Sequence, residues 1–96
     1  MNPAKVIRER TFTLTDLPNV GKAVAKDLEK IGIGHPEDLV GQDGFELYWR
    51  LCDVTGTRHD PCVIDVFLSV TDFMNGGEPR VWWEYTEERK RSGNKS

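Results

Sequence analysis

Residues 17–33, LPNVGKAVAKDLEKIGI, decide the fold because they join a tight turn to an amphipathic helix. Pro18, Asn19 and Gly21 are turn-forming residues, and asparagine is one of the few non-glycine residues that tolerate a positive φ. The apolar residues recur at helical spacing, and the lysines between them fall on the opposite face. The apolar set is Val20, Val24, Leu28 and Ile31, and the lysine set is Lys22, Lys26 and Lys30. One face of the predicted helix is therefore apolar and the other cationic.

The N-terminal end of this predicted helix is suited to a phosphate oxygen. The first N–H groups of a helix have no internal partner, and the helix dipole places a partial positive charge beside them. Gly21 has no Cβ, so a ligand can approach the backbone closely there. The predicted phosphate-binding residues are Asn19, Val20, Gly21, Lys22, Ala23 and Lys26. The alternative is a turn that only packs helices together.

The same stretch resembles the helix-hairpin-helix motif. The turn of that motif usually reads apolar-Pro-Gly-apolar-Gly and is followed by an alanine-containing helix. Residues 17–21, with Ala23 and Ala25 after them, fit this pattern except that Asn19 replaces the first glycine. The resemblance implies sequence-independent binding of DNA phosphates through the N–H groups of the hairpin.

Length and composition predict a single domain. The chain has 96 residues, of which 38% are hydrophobic and 30% charged, which suits one core and neither a disordered nor a membrane protein. No apolar run approaches the roughly 20 residues of a membrane span, and residues 1–11 lack the apolar core of a secretory signal. We expect a cytoplasmic protein in which Cys52 and Cys62 are reduced thiols.

The charge distribution limits any nucleic-acid affinity. The formal net charge is −3, and residues 37–79 carry nine acidic and only two basic side chains. The predicted hairpin helix and both chain ends are mildly basic. We therefore expect DNA binding to be weak and strongly dependent on salt.

Capping signals predict an all-α fold of four to five helices with no convincing strand. Residues 1–13 are predicted to be an arm, residues 14–86 the domain, and residues 87–96 a charged, disordered tail. Thr15 or Asp16 can cap a short first helix, and Gly32 ends the second. The later helices are predicted at residues 36–40, 45–54 and 61–74, the last capped by Asp60 and lined by Val63, Val66, Phe67, Val70, Phe73 and Met74.

Residues 48–85 add a more specific resemblance. The runs YWRLCDVTGTRHDPCVIDVF and RVWWEYTEERK look like the pathogenicity-locus family of small bacterial helix-hairpin-helix proteins, also labelled mitomycin-resistance-like. The resemblance covers residues 14–90 and implies a small helix-hairpin-helix domain. The turn at residues 54–57 is a candidate for a degenerate second hairpin, which would make the domain a tandem with pseudo-twofold symmetry.

One cluster of residues suggests chemistry. Cys52, His59 and Cys62 could bind a metal ion, with His35 or Asp60 as the fourth ligand, yet their spacing fits none of the usual zinc patterns. The preferred interpretation is structural: Asp60 caps a helix, Arg58 pairs with an acid such as Asp53, and the cysteines pack in the core. We therefore predict no catalytic residue, no metal and no cofactor.

Two functions remain at this stage. The first is weak, non-sequence-specific DNA binding by the hairpin. The second is a protein-interaction or self-association module, in which the acidic middle and an exposed aromatic such as Trp49 dock on a partner or a second copy. Trp82 and Trp83 are expected to close the core together with Tyr85, although stacking of the tryptophans on exposed bases is the alternative.

Overall fold

The computed structural model describes residues 11–79 and 81–93, with the backbone alone at residues 88, 92 and 93. Over these ranges the chain forms four α-helices and three single-turn 3₁₀ helices, and no strand, which confirms the predicted all-α class. The α-helices are α1 (Lys22–Lys30), α2 (Gly44–Thr55), α3 (Cys62–Met74) and α4 (Thr86–Gly93). The 3₁₀ turns are Leu14–Asp16, Pro36–Leu39 and Trp82–Tyr85. Most of the predicted arm and the end of the predicted tail lie outside the described residues.

Helix α3 is the centre of the domain. It packs against α2, against the second and third 3₁₀ turns and against α4. Its buried apolar residues are Ile64, Phe67, Val70 and Phe73. The predicted stripe was therefore wrong in part, because Val63, Val66 and Met74 are only half-buried and Ile64 takes the inner position. A helix enclosed on several sides buries residues around its circumference, which a one-sided pattern does not predict.

The other elements close the core around α3. Apolar side chains from the first hairpin, α1, the second 3₁₀ turn and α2 meet there. The buried set contributed by them is Leu14, Leu17, Val20, Leu28, Ile31, Ile33, Leu39, Leu47, Tyr48 and Leu51. Phe45 and Cys52 of α2 are half-buried and pack against the edge of this core.

Capping residues set where the helices begin and end. Gly32 follows α1 with a φ of 89°, and the Ile33 N–H donates to the Leu28 carbonyl at 3.0 Å, as expected for a glycine that ends a helix. Asp60 Oδ1 accepts the N–H of Cys62, the first residue of α3, at 2.8 Å, although the N-cap position is Pro61 and not Asp60 as predicted. The first 3₁₀ turn instead begins after Thr13, and neither Thr15 nor Asp16 is its N-cap.

The turn at residues 54–57 is the C-terminal cap of α2. Gly56 has a φ of 69°, and the Thr57 N–H donates to the Cys52 carbonyl at 3.2 Å. This pair of features defines a helix-ending motif, in which unpaired carbonyls are satisfied. The prediction of a second hairpin at this place was therefore wrong.

The aromatic segment at residues 81–85 closes the core through its tyrosine. Tyr85 is buried and its hydroxyl donates to Asp72 Oδ2 at 2.7 Å. Trp82 is half-buried, and Trp83 is 60% exposed and packs edge-on against it. The expectation that both tryptophans close the core was wrong, because the 3₁₀ turn directs Tyr85 inward instead.

Helix α4 is attached to the domain by polar contacts. The Asp65 carboxylate, which has no exposed surface, accepts the Thr86 hydroxyl at 2.9 Å and Arg89 Nε at 2.7 Å. The charged segment after residue 85 is helical as far as Gly93, where a disordered tail was predicted from residue 87 onward. None of the described helices is long and apolar enough to cross a membrane.

Candidate phosphate-binding site

The first hairpin turn, residues 17–20, has the geometry that its sequence predicts. The Val20 N–H donates to the Leu17 carbonyl at 3.4 Å, and Asn19 has a φ of 65°. A left-handed third residue after proline is the pattern of a type II turn. The Asn19 side chain donates from Nδ2 to Ser69 Oγ at 3.1 Å, which holds the turn against α3.

The N-terminus of α1 opens to solvent directly after this turn. Gly21 is the N-cap, with φ −96° and ψ −172°, and among the described residues no side chain caps the helix. The first helical hydrogen bond runs from the Ala25 N–H to the Gly21 carbonyl at 3.0 Å, so the N–H groups of the preceding residues lie ahead of it. Gly21, Lys22 and Ala23 are exposed.

Space is available for an anion at this end of the helix. A Cβ placed on Gly21 would have no atom within 4 Å, and the φ of this glycine is negative, so glycine is required here neither by packing nor by backbone strain. The absence of a side chain instead leaves the backbone N–H groups uncovered. That arrangement suits close approach by a phosphate oxygen.

Local charge also favours an anion. The first turn of α1 contains no acidic residue, and the side chains of Lys22 and Lys26 are exposed. Lys30, in the last turn, lies 3.6 Å from Asp27 and is therefore partly neutralised. The end of α1 that carries the dipole's positive charge is thus also the end with exposed lysines nearby.

Asp16 precedes the turn, and its carboxylate is occupied by the chain itself. Its Oδ2 accepts the Thr13 N–H at 2.9 Å, the Phe12 N–H at 3.0 Å and the Thr13 hydroxyl at 3.1 Å. The backbone hydrogen bonds from Thr13 and Phe12 hold the pKa of Asp16 below its ordinary value. This carboxylate therefore stabilises the first 3₁₀ turn.

Five of the six predicted phosphate-binding residues are exposed or half-buried in the structure. Asn19 shapes the turn and is hydrogen-bonded to α3. The helix end itself consists of Gly21, Lys22 and Ala23, and Lys26 lies one turn further along. Val20 is the exception. Its side chain is buried and its N–H belongs to the turn, so its amide is not a free donor.

The structure does not bring the residues considered for metal binding into one group of ligands. His59 Nε2 lies 2.8 Å from the Thr55 hydroxyl, and the His59 carbonyl accepts the Tyr48 hydroxyl. Across the described part of the chain, no group of three or more histidine, cysteine, aspartate or glutamate side chains could hold a metal ion. Cys52 and Cys62 are both half-buried free thiols.

A second exposed surface lies on α2. Trp49 is 43% exposed and Val54 is 57% exposed. The Arg58 guanidinium lies 5.3 Å from the Trp49 ring centre, where it stacks on the indole rather than pairing with Asp53. Trp49 and Arg58 border an open cleft of about 360 Å³ that Cys52 and Gly56 also line.

Sequence comparison places the chain in a known family. A family model described as Cdd1, pathogenicity locus, matches residues 7–91. The chain belongs to the pathogenicity locus family. A curated relative, the mitomycin resistance protein McrB of Streptomyces lavendulae, is 46% identical over 78 residues, which are 81% of this chain and 74% of that protein. No solved structure is significantly similar.

The range matched by the pathogenicity locus family contains all six predicted phosphate-binding residues. It also contains Ser69, which sequence reasoning did not connect with the site. The only signal for Ser69 was a hydroxyl inside the apolar run of α3, and this signal does not reveal its partner. Its hydroxyl also donates to the Val66 carbonyl at 2.6 Å, which leaves an oxygen lone pair for the Asn19 amide.

Proposed function

We propose that this pathogenicity locus protein binds the DNA backbone without sequence specificity, using its first hairpin and α1 as a helix-hairpin-helix motif. The observation that supports the proposal is the open N-terminus of α1. There, N–H groups that precede the first helical hydrogen bond are uncovered, Gly21 has no side chain, and no acid lies in the first turn. An anionic oxygen is the ligand that such a helix end prefers.

The donors in this proposal are backbone groups, and the side chains have supporting roles. The N–H groups of Gly21, Lys22 and Ala23 hold a phosphate oxygen, while the ammonium groups of Lys22 and Lys26 supply longer-range attraction. Asn19 fixes the turn by its hydrogen bond to Ser69. Contacts of this kind carry no base information, so sequence preference is not expected.

The proposed activity is binding alone, without catalysis, metal or cofactor. With a formal net charge of −3, the protein relies on a local cationic face instead of its overall field. The affinity should therefore be modest and should fall steeply between about 50 and 200 mM salt.

Blocking the helix end tests the proposal. Gly21→Val should fold normally, because a Cβ there meets no atom within 4 Å and the backbone is extended. Its isopropyl group would cover the N–H groups, and we expect at least a tenfold loss of affinity for a fluorescein-labelled duplex, measured by anisotropy at about 50 mM salt.

Gly34→Val is the matched control for this experiment. Gly34 is also exposed, with no atom within 4 Å of a Cβ and no left-handed backbone. It should bind the duplex as the wild type does. Equal affinity of the Gly21 and Gly34 variants would remove the hairpin from the interface.

The rival proposal is a protein-interaction or self-association module on the second exposed surface. The exposed Trp49 and Val54 favour it, because large exposed apolar side chains are typical of docking sites. If it holds, sedimentation velocity should show association that Trp49→Ala abolishes and Gly21→Val leaves unchanged. A monomer at all concentrations that binds DNA would favour the hairpin.

A further inference from the structure

The backbone of the first hairpin recurs 22 residues further along the chain. Both copies begin with a 3₁₀ turn, Leu14–Asp16 in one and Pro36–Leu39 in the other. In each copy an aspartate near the end of the turn accepts the N–H groups of two residues that precede it. Asp16 Oδ2 accepts two such bonds at 3.0 and 2.9 Å, and Asp38 Oδ2 accepts two at 3.1 and 3.0 Å.

The turns that follow also match. The N–H of the fourth residue donates to the carbonyl of the first, at 3.4 Å in residues 17–20 and at 3.1 Å in residues 39–42. The third residue is left-handed in both, with a φ of 65° at Asn19 and 79° at Gly41. Val40, the second residue of the later turn, has φ −63° and ψ 127°, which are type II values.

Both copies lead into a helix and lean on the same stretch of α3. Asn19 of the first donates to Ser69 Oγ, and a Cβ on Gly44 of the second would lie 2.8 Å from the Leu68 backbone nitrogen. The similarity therefore extends from the 3₁₀ turn to the start of the helix. It places the second hairpin at residues 36–44, and not at the turn predicted from sequence.

The two copies differ at one functional position. The N-cap of α1 is Gly21, and the N-cap of α2, 22 residues later, is Asp43. Asp43 Oδ1 accepts the Phe45 N–H at 2.9 Å. The corresponding N–H in the first copy belongs to Ala23, and Gly21 has no side chain to accept it.

We infer that the chain contains two copies of one anion-binding unit, and that Asp43 supplies the second copy with the anionic oxygen that the first copy takes from outside. Because Asp43 already occupies the helix end of the second copy, an external anion binds at the first hairpin alone. The Ala23 N–H of the first copy corresponds to the Phe45 N–H that Asp43 accepts. This inference rests on the proposed function only for the identity of the external anion, a phosphate oxygen.

The charge around the second copy agrees with this division. Asp43 and Glu46 stand at the N-cap and in the first turn of α2, whereas the first turn of α1 has no acid. A phosphate would be repelled from the second copy even without the cap. The first copy has Lys22 and Lys26 at the equivalent end.

Converting the first copy into the second tests the inference. In Gly21→Asp the new carboxylate should accept the Ala23 N–H, because a side chain at Gly21 has free space. The Ala23 amide proton should then move downfield at neutral pH, return when acid protonates the carboxylate, and no longer respond to inorganic phosphate. An Ala23 signal that Gly21→Asp leaves in its wild-type position would overturn the inference.

The reverse change gives a second, independent measurement. Asp43→Gly should leave the Phe45 N–H uncovered, so that its amide signal shifts on addition of inorganic phosphate. Asp43→Asn is the control, because it keeps a cap of the same shape and should make the Phe45 signal insensitive to phosphate. If Ala23 responds to phosphate in the wild type and Phe45 does not in Asp43→Gly, the second copy is no anion-binding unit.

Titrations with inorganic phosphate and with a DNA duplex distinguish the DNA-binding proposal from the inference of two paired anion-binding units. If inorganic phosphate moves the wild-type Ala23 signal and a DNA duplex does not, DNA binding fails while the paired units stand. If the duplex moves the Ala23 signal and Gly21→Asp leaves that signal unshifted, DNA binding stands and the paired units fail.

Discussion

At the residue scale, Asn19 both adopts the positive φ that the turn needs and donates a hydrogen bond to α3. Its φ of 65° is costly for most residues, and its amide donates to Ser69. Asn19→Gly keeps the backbone freedom and loses the hydrogen bond, a cost of about 1 kcal/mol. Asn19→Ala loses both, and we expect a loss of about 2 kcal/mol in unfolding free energy. Urea denaturation of both variants checks the order, which equal losses would contradict.

Two exposed carboxylates should make stability depend on acid pH. The pKa of Asp16 is lowered by N–H groups of Thr13 and Phe12, and that of Asp60 mainly by the Cys62 N–H. A lowered folded-state pKa means that the stabilisation is complete above the ordinary value of 3.8 and is lost as pH falls through the folded-state value. Urea midpoints should therefore fall below about pH 4, and less steeply in the Asp16→Asn, Asp60→Asn double variant.

The control for the pH experiment is Asp53→Asn, an exposed position on α2. It should show the same acid dependence as the wild type. If the urea midpoints of the double variant, the control and the wild type all fall equally with decreasing pH, Asp16 and Asp60 do not determine the loss of stability in acid.

At the element scale, the close packing of α2 on α3 depends on Gly44. A Cβ there would lie 2.8 Å from the Leu68 nitrogen and 3.0 Å from its Cα, and a helix backbone cannot move aside cheaply. We expect Gly44→Ala to lower the unfolding free energy by about 1–3 kcal/mol. Gly34→Ala, which meets no atom within 4 Å, should change it by less than about 0.5 kcal/mol. Similar melting curves for the two variants would show that the helices separate easily.

The attachment of α4 depends on a buried ion pair. Arg89→Leu would leave the Asp65 carboxylate buried without its guanidinium, and we expect a loss of about 3 kcal/mol. The double variant Asp65→Leu, Arg89→Leu should recover part of that loss, because neither charge then remains buried. Additive losses in thermal unfolding would mean that the two residues act separately.

Element ends were predictable from the sequence, and element interiors less so. Gly32 ends α1 and Asp60 hydrogen-bonds the start of α3, as their residue types predict, because helix ends depend on neighbouring residues in the sequence. The choice of Tyr85 over Trp82 and Trp83 as the buried aromatic depends on the direction in which a 3₁₀ turn points its side chains. The turn at residues 39–42 escaped notice because Val40-Gly41 lacks the proline that marks the first turn.

At the scale of the whole molecule, the candidate site was predictable because it consists of consecutive residues. Residues 19–26 carry both the turn and the helix end, so no tertiary contact was needed to assemble them. Ser69 and the stacking of Arg58 on Trp49 are different, since both depend on side chains that only folding brings together. The capped copy at Asp43 likewise became evident only from backbone angles.

The uneven charge of the molecule predicts that a few lysines account for the salt dependence of DNA binding. Acidic residues dominate residues 37–79, whereas Lys22 and Lys26 lie exposed in the half of α1 next to its open end. Lys22→Ala and Lys26→Ala should each reduce the slope of log K against log salt by about 1. Lys30→Ala, which removes a lysine paired with Asp27, should leave the slope unchanged. Equal slopes for all three variants, measured by anisotropy, would show that the lysines of α1 do not face DNA.

The central claim is that the open end of α1 receives a phosphate of DNA. The most direct measurement is an ¹⁵N NMR titration of the full chain with a short duplex at about 50 mM salt. The account predicts that the amide signals of Gly21, Lys22 and Ala23 shift first and furthest, ahead of any on α2 or α4. Unchanged signals at these three residues, or shifts confined to the surface around Trp49, would contradict it.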